Sequence, residues 1–148
     1  MENSLKNRVL EILQQGHLMS LGVVDERGVW VADLIYIFDD QFNIYWMSDP
    51  EVRHSVAIAY NTRVAGTITV SNKHGEPNLG LQFSGYAQKI DGPRFDLAVK
   101  HLIKRGHEAP SETEDVLGGD SWYGLKLNKL FLIDEANFGF DRQTVLDL

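Results

Sequence analysis

The sequence predicts a mainly β fold, a barrel with helical decoration, and three observations carry that prediction. Strand-like segments dominate and follow one another, with helices inserted among them rather than alternating as in a parallel doubly wound sheet. Short turns join the first three strands. Residues 29–38, Val-Trp-Val-Ala-Asp-Leu-Ile-Tyr-Ile-Phe, are apolar on both faces of a strand. A barrel strand normally has one dry face and one wet one, so the second dry face predicts a cover. A second copy of the chain is the preferred cover, and the chain's own helices are the alternative. With 148 residues, 43% of them hydrophobic, the chain suits one domain over 1–148 with a core that needs no staples.

Each element has its own justification. Leu5, Val9, Ile12 and Leu13 recur at helical spacing, and Gly16 stops the helix. Residues 17–24 form the first strand, and Asp25-Glu26-Arg27-Gly28 is turn chemistry with glycine at a left-handed position. Residues 29–38 and 42–47 follow as strands about a turn at Asp39-Asp40-Gln41, giving an antiparallel meander. Ser48-Asp49-Pro50-Glu51 starts a helix, with Asp49 as cap and Pro50 at the first position. Its inward face is Val52, Val56, Ala59 and Tyr60. Strands are predicted over 63–70 and 79–90, about a polar loop at 71–78. A helix opens at Gly92-Pro93, with Phe95, Ala98, Val99, Leu102 and Ile103 on one face. Ser111-Glu112-Thr113-Glu114 has capping-box spacing and predicts a further helical turn ending at Gly118-Gly119. Residues 122–133 are a sixth strand, and 138–146 a seventh strand or a tail.

Composition removes several functions. The absence of cysteine excludes disulfides, Cys-ligated metals and thiol nucleophiles. A net charge of −7 leaves no basic stripe for nucleic acid. No run approaches the ~20 apolar residues of a membrane span. Residues 1–15 lack the pattern of a signal peptide, so a cytoplasmic protein with no membrane partner is expected. The five histidines are scattered, and no metal site is predicted. No dinucleotide loop or nucleophile elbow is present.

The most informative junction is Tyr45-Trp46-Met47-Ser48-Asp49-Pro50-Glu51-Val52-Arg53-His54, where a strand ends at a helix N-terminus. Unpaired N–H groups and the helix dipole suit a phosphate there, with Ser48, Arg53 and His54 as added donors. An ordinary capped helix is the alternative, since Asp49 and Glu51 already complement the dipole. Trp46 stands beside this junction, where it could meet an aromatic ligand, although core packing is the commoner fate of a strand tryptophan.

The order of these elements, with Arg53-His54, Val64-Ala65-Gly66-Thr67, Gly80-Leu81-Gln82-Phe83, the helix near Phe95 and Phe138-Gly139-Phe140, resembles the pyridoxamine-5′-phosphate-oxidase-like family. Within it the chain is most similar to the YhbP-like branch. The resemblance implies a split β-barrel of six to seven mostly antiparallel strands with an N-terminal helix and inserted helices. It implies a homodimer with FMN in a cleft between subunits. Ser48, Arg53 and His54 would hold the FMN phosphate, and Ala32, Asp33, Leu34 and Ile35 would border the isoalloxazine. Trp46 and Met47 would lie along the ribityl chain or ring, Gly66 and Thr67 would flank the site, and Gln82 and Trp122 would approach it. The stretch is poorer in cations than in oxidases that make pyridoxal phosphate, and Asp33 sets an acid beside the ring. Two functions from different classes follow. One is an FMN-dependent oxidoreductase acting on an unknown small substrate, with no catalytic residue assigned. The other is a non-catalytic module holding FMN, haem or another planar ligand as a sensor, store or stress-related protein. An interaction protein with a degenerate cleft is a third reading.

Overall fold

The computed structural model describes residues 2–148, with side chains from Ser4 onward. Its elements run α1 (Glu2–Gln15), β1 (Leu18–Asp25), β2 (Gly28–Ile35), β3 (Ile37–Phe38), β4 (Ile44–Ser48), α2 (Arg53–Tyr60), β5 (Arg63–Thr69), β6 (Leu79–Ile90), α3 (Phe95–Lys104), β7 (Ser121–Asp134), α4 (Glu135–Phe138) and β8 (Gln143–Asp147). One antiparallel sheet has the order β2-β1-β5-β6-β7-β4-β3, with β8 added beside β7. Its two ends, β2 and β3, are consecutive in the chain and separated by Tyr36 alone. A sheet whose ends share one segment must curl until they meet, which makes this the split β-barrel the sequence predicts.

Alternation fixes the inside of the barrel. Met19, Leu21 and Val23 of β1 and Ile44 and Trp46 of β4 point inward, together with alternate residues of β6 and β7. Val9, Ile12 and Leu13 of α1 close this core, as their helical spacing predicts. A smaller core of Ile37, Leu97, Ala98 and Trp122 lies under α3. The first turn is as predicted: Gly28 has φ of +120°, and Asp25 accepts the Arg27 N–H at 2.9 Å.

Several boundaries differ from expectation, each for a local reason. Residues 29–38 are two strands, because the chain leaves one sheet end at Tyr36 and joins the other; the strand count becomes eight. The three-strand meander is therefore only a β1–β2 hairpin, and β4 lies between β3 and β7. Helix α2 begins at Arg53, three residues after Pro50, because the Asp49 carboxylate takes the Glu51 N–H at 2.9 Å and closes a separate turn. Its buried face is Ser55, Ala57 and Ile58, while Val56 and Tyr60 are exposed. Helix α3 buries Leu97, Ala98 and His101 and exposes Phe95 and Ile103. Residues 111–119 form turns rather than a helix, with Gly118 and Gly119 at positive φ. The segment expected as a seventh strand or tail divides into the end of α4 and strand β8.

Candidate anion site at the start of helix α2

Helix α2 has Val52 at its N-cap position, in an extended conformation and without a side-chain cap. Its first turn, Arg53-His54-Ser55, contains no acid. Asp49, the predicted cap, and Glu51, predicted in the first turn, both lie before the helix instead. First-turn N–H groups with no capping side chain form a natural anion site. Around them, the Ser48 hydroxyl and His54 Nε2 are 2.9 Å apart. Burial pushes the His54 imidazole below its ordinary pKa, so it is neutral near pH 7. Ser55 is buried in the same turn with a hydroxyl that has no partner.

Arg53 is held from two sides. Its Nε and Nη2 donate to the two carboxylate oxygens of Asp25 at 2.8 and 3.0 Å, a bidentate fork. Its Cζ lies 4.5 Å from the ring centroid of Trp30, a cation–π contact. The Arg53 guanidinium holds the Asp25 carboxyl down at about 2. Neither Asp25 nor Trp30 was among the residues picked from sequence. Asp25 reads there as an ordinary turn residue, and the signal for Trp30 was its place on the doubly apolar segment.

The other sequence-derived candidates separate into three groups. Cross-strand register puts Asp33, Ser20, Thr67 and Gln82 in one row across β2, β1, β5 and β6 on the outer face of the sheet. There the Ser20 hydroxyl donates to Asp33 at 2.6 Å, and Thr67 and Gln82 line a trough of about 460 Å³ with Phe131 and Arg142. Ile35 is on this outer side of β2. Asp25 belongs to the inward parity of β1, so the Arg53 cluster and the Asp33 row lie on opposite faces of the sheet. Ala32 and Leu34 share the inward side of β2 with Trp30, and Leu34 packs on the main core. Gly66 is also on the inward side, where a Cβ would come within 2.6 Å of the Ser20 carbonyl oxygen and 2.8 Å of the Phe83 ring, so close packing accounts for the glycine. Trp46 and Trp122 are fully buried. Trp46 stacks on Tyr123 with centroids 5.8 Å apart, and Trp122 donates its indole N–H to the Pro93 carbonyl at 2.9 Å. Met47 packs beside Trp122 in the smaller core. Within one chain, then, Ser48 and His54 touch, the Arg53 side chain turns to Asp25 and Trp30, and the two buried tryptophans face no open surface.

Among the described residues no group of three metal-ligating side chains converges, and no helix is long and apolar enough to cross a membrane. No family model matches the chain. A UPF0306 protein YhbP from Escherichia fergusonii is 31% identical over 94 residues, which are 63% of this chain and 64% of that protein. A UPF0306 protein from Photorhabdus laumondii is 28% identical over a stretch of the same length, 66% of its own chain. The match thus spans just under two thirds of these relatives. Solved structures share the fold at low identity. A Listeria innocua protein whose name proposes a pyridoxamine 5′-phosphate oxidase has a TM-score of 0.70 at 16% identity, over 87% of this chain and 98% of its own. General Stress Protein 26 of Bacillus anthracis has 0.69 at 15%, over 95% and 98%. The haem-storage protein HutZ of Vibrio cholerae has 0.65 at 14%, over 86% and 94%. The chain is similar to the UPF0306 YhbP-like proteins over just under two thirds of their length, and it shares its split-barrel fold with these solved structures.

Proposed function

We propose that the chain binds FMN, with the phosphate at the start of α2, as an oxidoreductase-type flavoprotein. The observation that carries this reading is the first turn of α2: uncapped, free of acid, and flanked by an arginine with donors to spare. A guanidinium has five N–H groups, and Asp25 takes two of Arg53's. The residues fit the group. First-turn N–H groups, the remaining Arg53 donors and the Ser48 hydroxyl would hold the phosphate. His54, being neutral, would contribute a hydrogen bond rather than a charge. Trp30 stays 44% exposed beside Arg53 and offers an aromatic surface to the flavin, with Ala32 next along that side of β2. When bound, FMN supplies hydride and single-electron transfer; the chain's residues bind and orient it. The wall facing β2 would come from a second copy, which also brings the Asp33, Thr67 and Gln82 face toward a shared cleft.

The test is the visible spectrum of the purified protein after soaking in FMN and removal of the unbound fraction. The wild type is expected to retain a flavin spectrum. Arg53→Ala is expected to weaken retention by about ten- to a hundredfold, the loss of charge-assisted hydrogen bonding. A wild-type protein that is colourless after soaking overturns the proposal. The haem-binding and haem-storage names among the fold neighbours favour a second reading, a non-catalytic module for a planar ligand. Retention of a haem band in place of flavin would select it.

A further inference from the structure

We propose that Asp25 is a positioning residue for phosphate recognition: from the β1–β2 hairpin it presets the Arg53 guanidinium to receive a phosphate monoester. The inference rests on the reading of α2 as a phosphate site. It adds a residue that contributes no donor of its own and carries the wrong charge for an anion site.

The geometry separates positioning from competition. Asp25 engages one edge of the guanidinium through Nε and Nη2, with both of its own oxygens. The guanidinium's central carbon lies 4.5 Å from the centroid of the Trp30 ring. A bidentate edge and a ring contact together hold the group in place. Three N–H donors remain, two of them on the Nη1–Nη2 edge, and no other partner for them occurs among the described residues. A free arginine loses much rotamer freedom on binding an anion, and a preset one has already lost it. Both side chains are about one fifth exposed, 21% for Arg53 and 17% for Asp25, so the pair is sheltered without being sealed. Asp25 stays ionised at every pH at which the protein would be used, because the adjacent guanidinium keeps its carboxyl far below neutrality.

The competing view is that Asp25 merely repels or displaces an incoming phosphate. The two views predict opposite signs. Asp25→Asn removes a negative charge beside the anion yet spoils the match between carboxylate and fork, since one amide position is a donor facing a donor. Affinities for FMN and for riboflavin, which lacks the phosphate, are measured by flavin fluorescence quenching for wild type, Asp25→Asn and Arg53→Lys. Positioning predicts that Asp25→Asn weakens FMN by about tenfold, roughly one charge-assisted hydrogen bond, and leaves riboflavin unchanged. It predicts a similar loss for Arg53→Lys, which keeps the charge and loses the fork. Unchanged riboflavin affinity also shows that the variants are folded at the site. Equal or tighter FMN binding by Asp25→Asn overturns the inference, as does an equal loss for both flavins, which would mark a purely structural tie. In both of those outcomes the wild-type preference for FMN persists and the proposed function stands. A wild type with no preference for FMN over riboflavin overturns the function and this inference together.

Discussion

His101 sits on α3 with 4% of its surface exposed, its Nδ1 without a partner and its ring edge-on to Trp122 at 5.7 Å. Burial, followed by the nearby charges of Arg105 and Lys104, lowers its pKa to about 4. An unfolded histidine titrates near 6.5, so the unfolded chain takes up this proton first as pH falls. Stability from this group is therefore fully present above about pH 6.5, declines toward pH 4 and levels off below, by up to about 3 kcal/mol. His101→Leu is expected to flatten the dependence of melting temperature on pH between 4 and 6.5; an unchanged slope would show that other groups carry it. The half-buried His54 leaves a smaller slope of the same sign. Residue identity alone did not locate these groups. The sequence holds three tryptophans that look alike as candidates, and the two that reach the interior, Trp46 and Trp122, read there as flavin neighbours by family likeness. Trp30 is the exposed one because β2 lies at the end of the sheet, a property of topology that alternation along one strand does not carry.

At the scale of elements, Tyr36 joins α1 to the barrel. Its hydroxyl donates to the Leu13 carbonyl at 2.8 Å, one of the carbonyls that the last turn of α1 leaves without a helical partner. Burial pushes the phenol's pKa well above its ordinary value, so it remains a donor. Tyr36→Phe is expected to cost about 1–3 kcal/mol by stranding a buried carbonyl, read as a fall in the denaturation midpoint with the m-value unchanged. Beside the short end strand β3, Lys100 and Lys104 of α3 donate to the carbonyls of Phe38 and Tyr36 at 3.0 and 2.5 Å and cover backbone at the end of the sheet. Burial lowers the Lys104 pKa to about 8. Helix and strand types were readable from period and turn residues for almost every element. What failed were the start and inward face of α2, the inward face of α3, and the helical turn expected over 111–119. Asp49 reads as a helix cap but serves a turn of its own, and His101, absent from the predicted inward face, lies buried against Trp122. Both depend on a partner that the local pattern does not contain. The candidate site was legible in part: Ser48, Arg53 and His54 follow from one junction, whereas Asp25 meets Arg53 only through the fold.

At the scale of the molecule, the doubly apolar segment is uncovered in its first part, whereas Tyr36 and Ile37 at its far end are buried. Val29 and Val31 are 73% and 58% exposed at the sheet edge, beside the half-open Trp30. Aliphatic side chains clustered on an edge strand mark an association surface. We expect a dimer by sedimentation equilibrium and a shift toward monomer for Val31→Lys; a monomeric wild type would refute the association and leave β2 exposed. The sequence predicts a cover and prefers a second copy for it, and the sedimentation measurement decides that expectation.

The single residue between β2 and β3 also bears on how the chain reaches this state. The β1–β2 hairpin can form from near neighbours, and so can the β3–β4 pair. Yet the path joining them runs through β5, β6 and β7, whose pairing brings in distant parts of the chain. Such ladders carry loop-closure entropy before their contacts offset it, which places refolding on the order of milliseconds to seconds. Gly28–Phe38 is claimed by both ends of the sheet, so neither half of the ring can be registered independently of the other. The last event in assembly should be the seating of Tyr36, and the slowest refolding phase should report on it rather than on the early hairpin.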